Sequence, residues 1–295
     1  MRRCLRDFFA AQGYSEKLPI GHFGTLDPGA QGVLPLAIGK ATRLLPLIED
    51  RRKCYSFTLV LGYATTSGDI DGEITESAPV PTDLEQRCPE VFARFLGLQQ
   101  QTPPMTSALK HEGRRLYELA REGVSVERRA RDITIDALEF LGLIEPPGLE
   151  PHLRAVRGRV HCSEGTYVRT LCEDIALALG TRGHMRDLLR EAAGPFTLAT
   201  ALTLEQIAAN PAAALLQPSS ILPFPSLELT GEALVRFRHG QARLLKDGVL
   251  AEAGLDEKML EAQTVFVTSR ERDAIVVIGL GVLLGKQLVP RSLFA

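Results

Sequence analysis

Residues 55–61 (YSFTLVL) alternate in a period of two, with Tyr55, Phe57, Leu59 and Leu61 on one face, which predicts a strand. Residues 133–141 (ITIDALEFL) predict another. The sharpest alternation lies at 154–162, where Val156, Gly158, Val160 and Cys162 face one way and Arg157, Arg159 and His161 the other. That pattern predicts a half-buried strand with a basic outer face. Leu116, Leu119 and Ala120 share a stripe between Gly113 and Gly123, as in a short helix stopped by the second glycine. Leu171, Ile175 and Leu179 recur at four-residue spacing and predict a helix over 170–179, with Gly180 as its stop. Thr203-Leu-Glu-Gln206 has the form of a capping box and opens a further helix. EPPGLEP at 145–151 is a loop, and 211–226, rich in Pro, Ala and Ser, reads as a linker. Beyond it Thr230 is placed to cap a helix to about His239, and 264–268 (TVFVT) and 274–278 (AIVVI) read as strands. Strands and helices mix without regular alternation, so the expected class is α+β. The expected division is a main domain over 1–222 and a small β-rich unit over 226–295.

Length and composition narrow the class without naming a chemistry. The 295 residues suit one large domain with a small companion. The 45% hydrophobic and 24% charged content is that of an ordinary soluble globular protein. No apolar run approaches the ~20 residues that span a bilayer. The opening MRRCLRDFFAAQG starts basic but has no apolar stretch after it, which excludes a signal peptide. The five cysteines, at 4, 54, 88, 162 and 172, form no C-x-x-C pair. Free thiols in a reducing cytoplasm are expected, with no disulfide framework and no zinc site. A formal charge of −2 excludes a histone-like nucleic-acid binder but leaves room for local basic faces. Arginines outnumber lysines 27 to 7. Guanidinium forks suit phosphates and base edges, but a GC-rich genome produces the same bias, and composition leaves both readings open.

The densest stretch is Gly21-His22-Phe23-Gly24-Thr25-Leu26-Asp27-Pro28, followed by Gly29-Ala30-Gln31-Gly32. Its glycines permit sharp turns, and Pro28 biases Asp27 to extended backbone. A carboxylate on a rigid turn suits a nucleophile or general base, although on these physics alone an inert Asp-Pro turn is the commoner outcome. A second stretch, Cys162-Ser-Glu-Gly-Thr-Tyr-Val-Arg169-Thr170, sets Arg169 where the basic strand meets a helix. A guanidinium there reaches a carboxylate or phosphate, or else is a solvated surface arginine. A third, from Gln101 through the 105–133 segment, holds seven Lys/Arg against five Asp/Glu, including Arg114, Arg115, Arg128, Arg129 and Arg131. It reads either as a basic flap over RNA or as a charged helix with internal pairs. Gly279-Leu-Gly-Val-Leu-Leu-Gly285 imitates a dinucleotide loop, but ten residues remain after it, too few for the helix and strand such a site needs. A glycine-bearing β-turn is expected there. His161, Cys162 and Glu164 are too sparse to argue for a metal.

Taken in order, these segments resemble the TruB family of tRNA pseudouridine synthases. GHFGTLDP resembles the family's GHxGTLDP, Lys53-Cys-Tyr55 its K-x-Y, and QTPPMTSALK with LYELAREG its RNA-clamping insertion. CSEGTYVRTL resembles CSxGTYIRTL, and Gly183-His-Met-Arg-Asp-Leu188 resembles a segment lining the uridine pocket. The match runs from Gly21 to about Ile207. The resemblance implies a pseudouridine synthase fold, a mixed and largely antiparallel sheet flanked by helices. It also implies a thumb-like insertion at about 103–133 and a PUA-like RNA-binding domain at the C-terminus. It implies isomerisation of uridine 55 in the T-loop of tRNA by base flipping, with no cofactor, no metal and no obligate protein partner. Asp27 is then the catalytic aspartate, Arg169 its ion-pair partner, and Tyr55 the ring that stacks on the base. His22 takes the place of the flipped base and Leu188 lines the pocket. Lys53, Arg114, Arg115, Arg157 and Arg159 are the candidate RNA contacts.

Three departures stand out. The sequence opens almost at the family's first helix, without the K-P-x-G-x-[TS]-S strand that usually precedes it. Either the start is wrongly assigned or the strand is absent, and its absence is expected to leave an exposed sheet edge and a looser, less active site. Thr106 stands where the family often has Tyr, and Thr66 where Asp is common; both are expected to lie outside the core chemistry. Three other readings remain: a T-arm chaperone without catalysis, a guide-dependent synthase, and a glycosidase drawing its second carboxylate from Asp69 or Asp71.

Overall fold

The computed structural model describes residues 10, 11, 13, 18–211, 214–246, 248–255, 262–271 and 274–294. Cys4 and the opening of the chain, where the missing first strand was expected, lie outside the described residues. Two compact units form, each from more than one stretch of chain. One comprises Gly24–Leu34 and Asp50–Ala201; the other combines the described parts of Met1–Phe23 with Pro35–Glu49 and Leu202–Ala295.

The first unit is built on a seven-stranded sheet. Six strands lie in the order Phe196–Thr197, Gly183–Ala193, Lys53–Leu61, Arg154–Cys162, Arg131–Ile144, Gly97–Gln101, every neighbour antiparallel. The seventh, Gln31–Gly32, pairs parallel with Leu189–Arg190. The sheet is thus mixed and largely antiparallel, as expected. Phe57, Leu59 and Leu61 enter a core with Val156, Val160, Phe92, Leu171 and Ile175, the last three from the helices Leu84–Ala93 and Val168–Ala178. The alternation at 55–61 did predict a strand, but it concealed the strand's central position. Ser56, Thr58 and Val60 are buried as well, and Val60 joins Leu153 and Ala155 in a second cluster. Gly158 is fixed by packing: a Cβ there would lie 2.4 Å from the Phe57 ring.

The basic strand runs Arg154–Cys162 as expected, with Arg157 and Arg159 exposed and Val156, Gly158, Val160 and Cys162 buried. The next helix begins at Val168, two residues before the periodicity indicated, because its start is held from outside. The Gln101 side chain accepts from the Tyr167 N–H at 2.7 Å and donates to the Tyr167 carbonyl at 3.1 Å. Gly180 ends the helix at φ +83°, its N–H donating to the Leu177 carbonyl.

In the second unit Ile20–His22 pairs antiparallel with Leu36–Ile38, and a 3-10 helix follows over Gly39–Leu47. Residues from Ser226 onward form a five-stranded sheet in the order Ser226–Glu228, Gln263–Glu271, Ala274–Leu284, Gln287–Leu293, Arg243–Leu244. Leu227, Phe237, Val265, Val267, Ile278 and Leu288 make its core. The capping box at Thr203 and Gln206 is present, and the expected helix after Thr230 is Gly231–Arg238. The Gly279–Gly285 motif is mostly strand. A Cβ on Gly279 would meet the Ser292 carbonyl at 2.3 Å, and Gly285 makes the turn at φ +57°.

Candidate active site

Asp27 sits in the Gly24–Val33 loop, where the Ala30 N–H donates to the Asp27 carbonyl at 3.0 Å and closes a turn. One side chain fixes this loop to the sheet. Arg190, 1% exposed, donates from Nε to the Val33 carbonyl at 2.7 Å, from Nη1 to Thr25 at 3.2 Å and from Nη2 to Gly24 at 3.1 Å. The Val33 N–H returns to the Arg190 carbonyl at 2.9 Å. Gly32 has to be glycine here: its φ is +106° and a Cβ would lie 2.2 Å from the Arg190 carbonyl oxygen.

The turn presents the Asp27 carboxylate, 39% exposed, to Arg169, whose side chain is 5% exposed. Arg169 Nε lies 3.0 Å from Asp27 Oδ2. Its other end is held by neighbours. Nη1 donates to the Ser67 carbonyl at 3.1 Å and to Thr106 Oγ1, and lies 3.5 Å from Asp69 Oδ2; Nη2 donates to the Thr106 carbonyl at 3.1 Å. Asp69 in turn accepts from Ser67 Oγ at 2.5 Å. A guanidinium fixed on four sides aims Nε at one carboxylate oxygen. The remaining Asp27 surface stays open to a substrate.

Tyr55 enters the same region from the central strand, its backbone in register with Arg190 on one side and Val160 on the other. Burial pushes its phenol above the ordinary range, while the Arg190 charge and hydrogen bond pull down and Asp27 pushes up. The phenol is therefore a neutral ring near physiological pH. Lys53, 4% exposed, lies against Gly24, and burial lowers its amine to about 8, with Glu164 raising it and Arg190 lowering it. Leu188 is in register with Phe57 and packs half-buried against the core. His22 lies in the Ile20–His22 strand of the other unit.

The basic residues divide. Arg114 pairs with Glu122 at 2.5 Å and Arg159 with Glu191 at 3.0 Å, so both guanidinium groups are partly neutralised within the fold. Arg115 Nη1 donates to the Ala108 carbonyl at 2.6 Å, and Arg157 is exposed. Sequence reasoning missed Arg190, and took Thr106 as lying outside the core chemistry and Asp69 only as a glycosidase carboxylate. All three touch the Asp27 loop or Arg169, brought there from distant parts of the chain. The only linear signal was the density of Thr, Ser, Gly and Asp at 65–72. Among the described residues no group of His, Cys, Asp and Glu is arranged to hold a metal ion, and no helix is long and apolar enough to cross a membrane.

A further acid lies against this cluster. Glu173 Oε1 is 2.9 Å from where a Gly68 Cβ would stand. Burial raises its carboxyl to about 7, helped by Asp174 and Asp69 and opposed by Arg169 and Arg128; burial also raises Asp174 to about 6. Because the folded value lies above the unfolded one, the protonated acid favours the fold. That stability is complete below about 4.5 and is lost as pH rises through about 7. Glu173→Gln is therefore expected to leave stability unchanged near pH 4.5 and to raise it by about 1–2 kcal/mol at pH 8, after discounting for partial exposure. Urea midpoints at the two pH values test this; parallel wild-type and variant curves would refute it.

Comparison with known proteins gives the cluster a context. Residues 13–168 match the model of the TruB family pseudouridylate synthase N-terminal domain, and 169–220 that of the tRNA pseudouridylate synthase B C-terminal domain. The tRNA pseudouridine synthase B of Cupriavidus pinatubonensis is 44% identical over 237 residues, covering 78% of this chain and 73% of that one. The protein of the same name from Heliobacterium mobile is 42% identical over 230 residues, covering 77% and 73%. Among solved structures, a Cbf5-Nop10-Gar1 complex matches with TM-score 0.54 and 24% identity over 94% of this chain and 77% of that one. An H/ACA RNP bound to a substrate RNA containing 2'-deoxyuridine matches with TM-score 0.54 and 21% identity over 100% and 81%. At these identities the solved structures speak to the fold.

Proposed function

The chain belongs to the TruB family of pseudouridylate synthases, which makes it an isomerase, and from that premise we propose that it converts uridine 55 in the T-loop of tRNA to pseudouridine with Asp27 as the catalytic group. The observation that carries the reading is the Asp27 carboxylate, part exposed and 3.0 Å from a buried Arg169, on a loop tied to the sheet by three hydrogen bonds from Arg190. The tRNA names of the curated relatives support the substrate.

The reaction breaks the N1–C1′ bond of uridine, turns the base over and joins C5 to C1′; the C5 proton leaves and N1 regains one. No electrons or groups enter or depart, so the chemistry needs a positioned carboxylate and a pocket rather than a cofactor. In this reading Asp27 either adds to the flipped nucleoside or removes a proton from it. Arg169 keeps it aimed and places a fixed positive charge beside it, which is the electrostatic preorganisation such a step requires. Tyr55, held neutral, stacks on the base and Leu188 supplies an apolar wall. Extracting the base from the T-loop costs a few kcal/mol, which contacts to the arm offset. Arg115 and Arg157 are the basic groups proposed to meet RNA directly, and Arg114 and Arg159 must first exchange Glu122 and Glu191 for phosphate. Lys53, expected as an RNA contact, is buried against the Gly24 turn and is not placed to touch RNA from the surface. The β-rich stretch 226–295 is proposed as a PUA-like RNA-binding domain and 103–133 as the insertion that grips the arm.

A T-arm stem-loop transcript, incubated with the protein and no guide RNA, is expected to gain one pseudouridine, at position 55. Mapping after chemical derivatisation reads it out. Tight binding without conversion, conversion at another uridine, or a requirement for a guide RNA would each overturn the proposal.

A further inference from the structure

Thr106 was expected to lie outside the core chemistry, yet it takes two hydrogen bonds from Arg169 through two different atoms. Its hydroxyl oxygen accepts from Nη1 and its carbonyl from Nη2 at 3.1 Å. The same hydroxyl donates to the Ser67 carbonyl at 3.4 Å, and Ser67 itself accepts from Nη1 at 3.1 Å. Arg169, Thr106 and Ser67 thus close a small ring of hydrogen bonds at the end of the guanidinium remote from Asp27. A guanidinium has five N–H donors in a rigid plane, so fixing the Nη end fixes the direction of Nε. Asp69, 3.5 Å from Nη1, is a second carboxylate competing for the same group.

Resting on the assignment of Asp27 as the catalytic group, we infer that Thr106 is a positioning residue for the isomerisation: its hydroxyl holds Arg169 turned towards Asp27 and against Asp69. Without that hydroxyl one Nη1 hydrogen loses its acceptor, and its nearest charged alternative is Asp69. The plane then rotates away from the Nε geometry that aims Asp27. Thr106 also belongs to the 103–133 segment. Arg128 Nη1 donates to the Pro103 carbonyl at 2.9 Å and ties the start of that segment to its far end. The segment proposed to grip RNA therefore supplies a hydroxyl to the catalytic ion pair.

The test compares Thr106→Val, which keeps the shape and removes the hydroxyl, with Thr106→Ser, which keeps the hydroxyl and removes the methyl. On a T-arm transcript Thr106→Val is expected to slow single-turnover conversion about tenfold, with the RNA dissociation constant within about twofold of wild type. Thr106→Ser is expected within about twofold of wild type in both. Full-rate Thr106→Val, equal loss in both variants, or a loss confined to RNA affinity would overturn the inference. Asp27→Asn in the same assay separates the two levels: if it remains active, the assignment of Asp27 fails, whatever Thr106 does.

Discussion

Asp27→Asn is expected to lower kcat/KM for pseudouridine formation by about 10³-fold or more, while the melting temperature and affinity for the T-arm stay close to wild type. That factor corresponds to about 4 kcal/mol of transition-state stabilisation. The amide is the same size as the carboxylate and keeps one oxygen facing Arg169 Nε, so the loop has no steric reason to move. Arg169 still has Ser67, Thr106 and Asp69 as acceptors, so its burial remains compensated. The amide cannot serve as a nucleophile or a base at neutral pH, and the loss therefore falls on the chemical step. Single-turnover conversion, fluorescence-detected RNA binding and thermal melting together check the expectation. Conversion at the wild-type rate would remove Asp27 from the mechanism.

Arg190→Ala should have the largest effect on stability, a destabilisation of about 3–5 kcal/mol. The side chain is 1% exposed, and the substitution strips hydrogen bonds from the carbonyls of Gly24, Thr25 and Val33. Each carbonyl left buried without a donor costs about 1–3 kcal/mol, less where water enters the space vacated. Against a typical total of about 5–15 kcal/mol this is a large fraction. Arg190→Lys should recover little of it. One ammonium on a flexible stem cannot reproduce a planar fork that spans three carbonyls. Urea denaturation of both variants measures the effect; a loss below about 1 kcal/mol for Arg190→Ala would mean that the loop is held by other contacts.

What the chain disclosed beforehand was set by the range of the forces involved. The strand at 154–162 and the helix after it were legible because burial writes a period of two or 3.6 into the sequence. Arg157 and Arg159 were correctly placed on the outer face for the same reason. The central position of Lys53–Leu61 was hidden, since a strand covered on both sides and one covered on a single side both alternate when Ser and Thr fill the second face. The pairing of Arg159 with Glu191 and of Arg114 with Glu122 was hidden too, because charge partners depend on strand register and turn shape. Asp27 and Arg169 were singled out by family resemblance. Their local physics alone favoured an ordinary Asp-Pro turn and a surface arginine. Arg190 and Thr106 carried no local signal, and Asp69 only the density of Thr, Ser, Gly and Asp around it, as each acts through a partner far away in the sequence.

That distance has a bearing on how the protein comes into being. The bonds from Arg190 to the Asp27 loop join residues 157, 165 and 166 positions apart. Closing a chain of that length costs about 4–5 kcal/mol of entropy before any contact rewards it. On a ribosome adding about 5–20 residues per second, roughly ten to thirty seconds separate the synthesis of the loop from that of its anchor. A nascent chain that has reached residue 180 already contains Asp27 and Arg169. It still lacks both Arg190 and the strand beside which Gln31–Gly32 must lie. The oldest part of the catalytic unit is therefore among the last to settle.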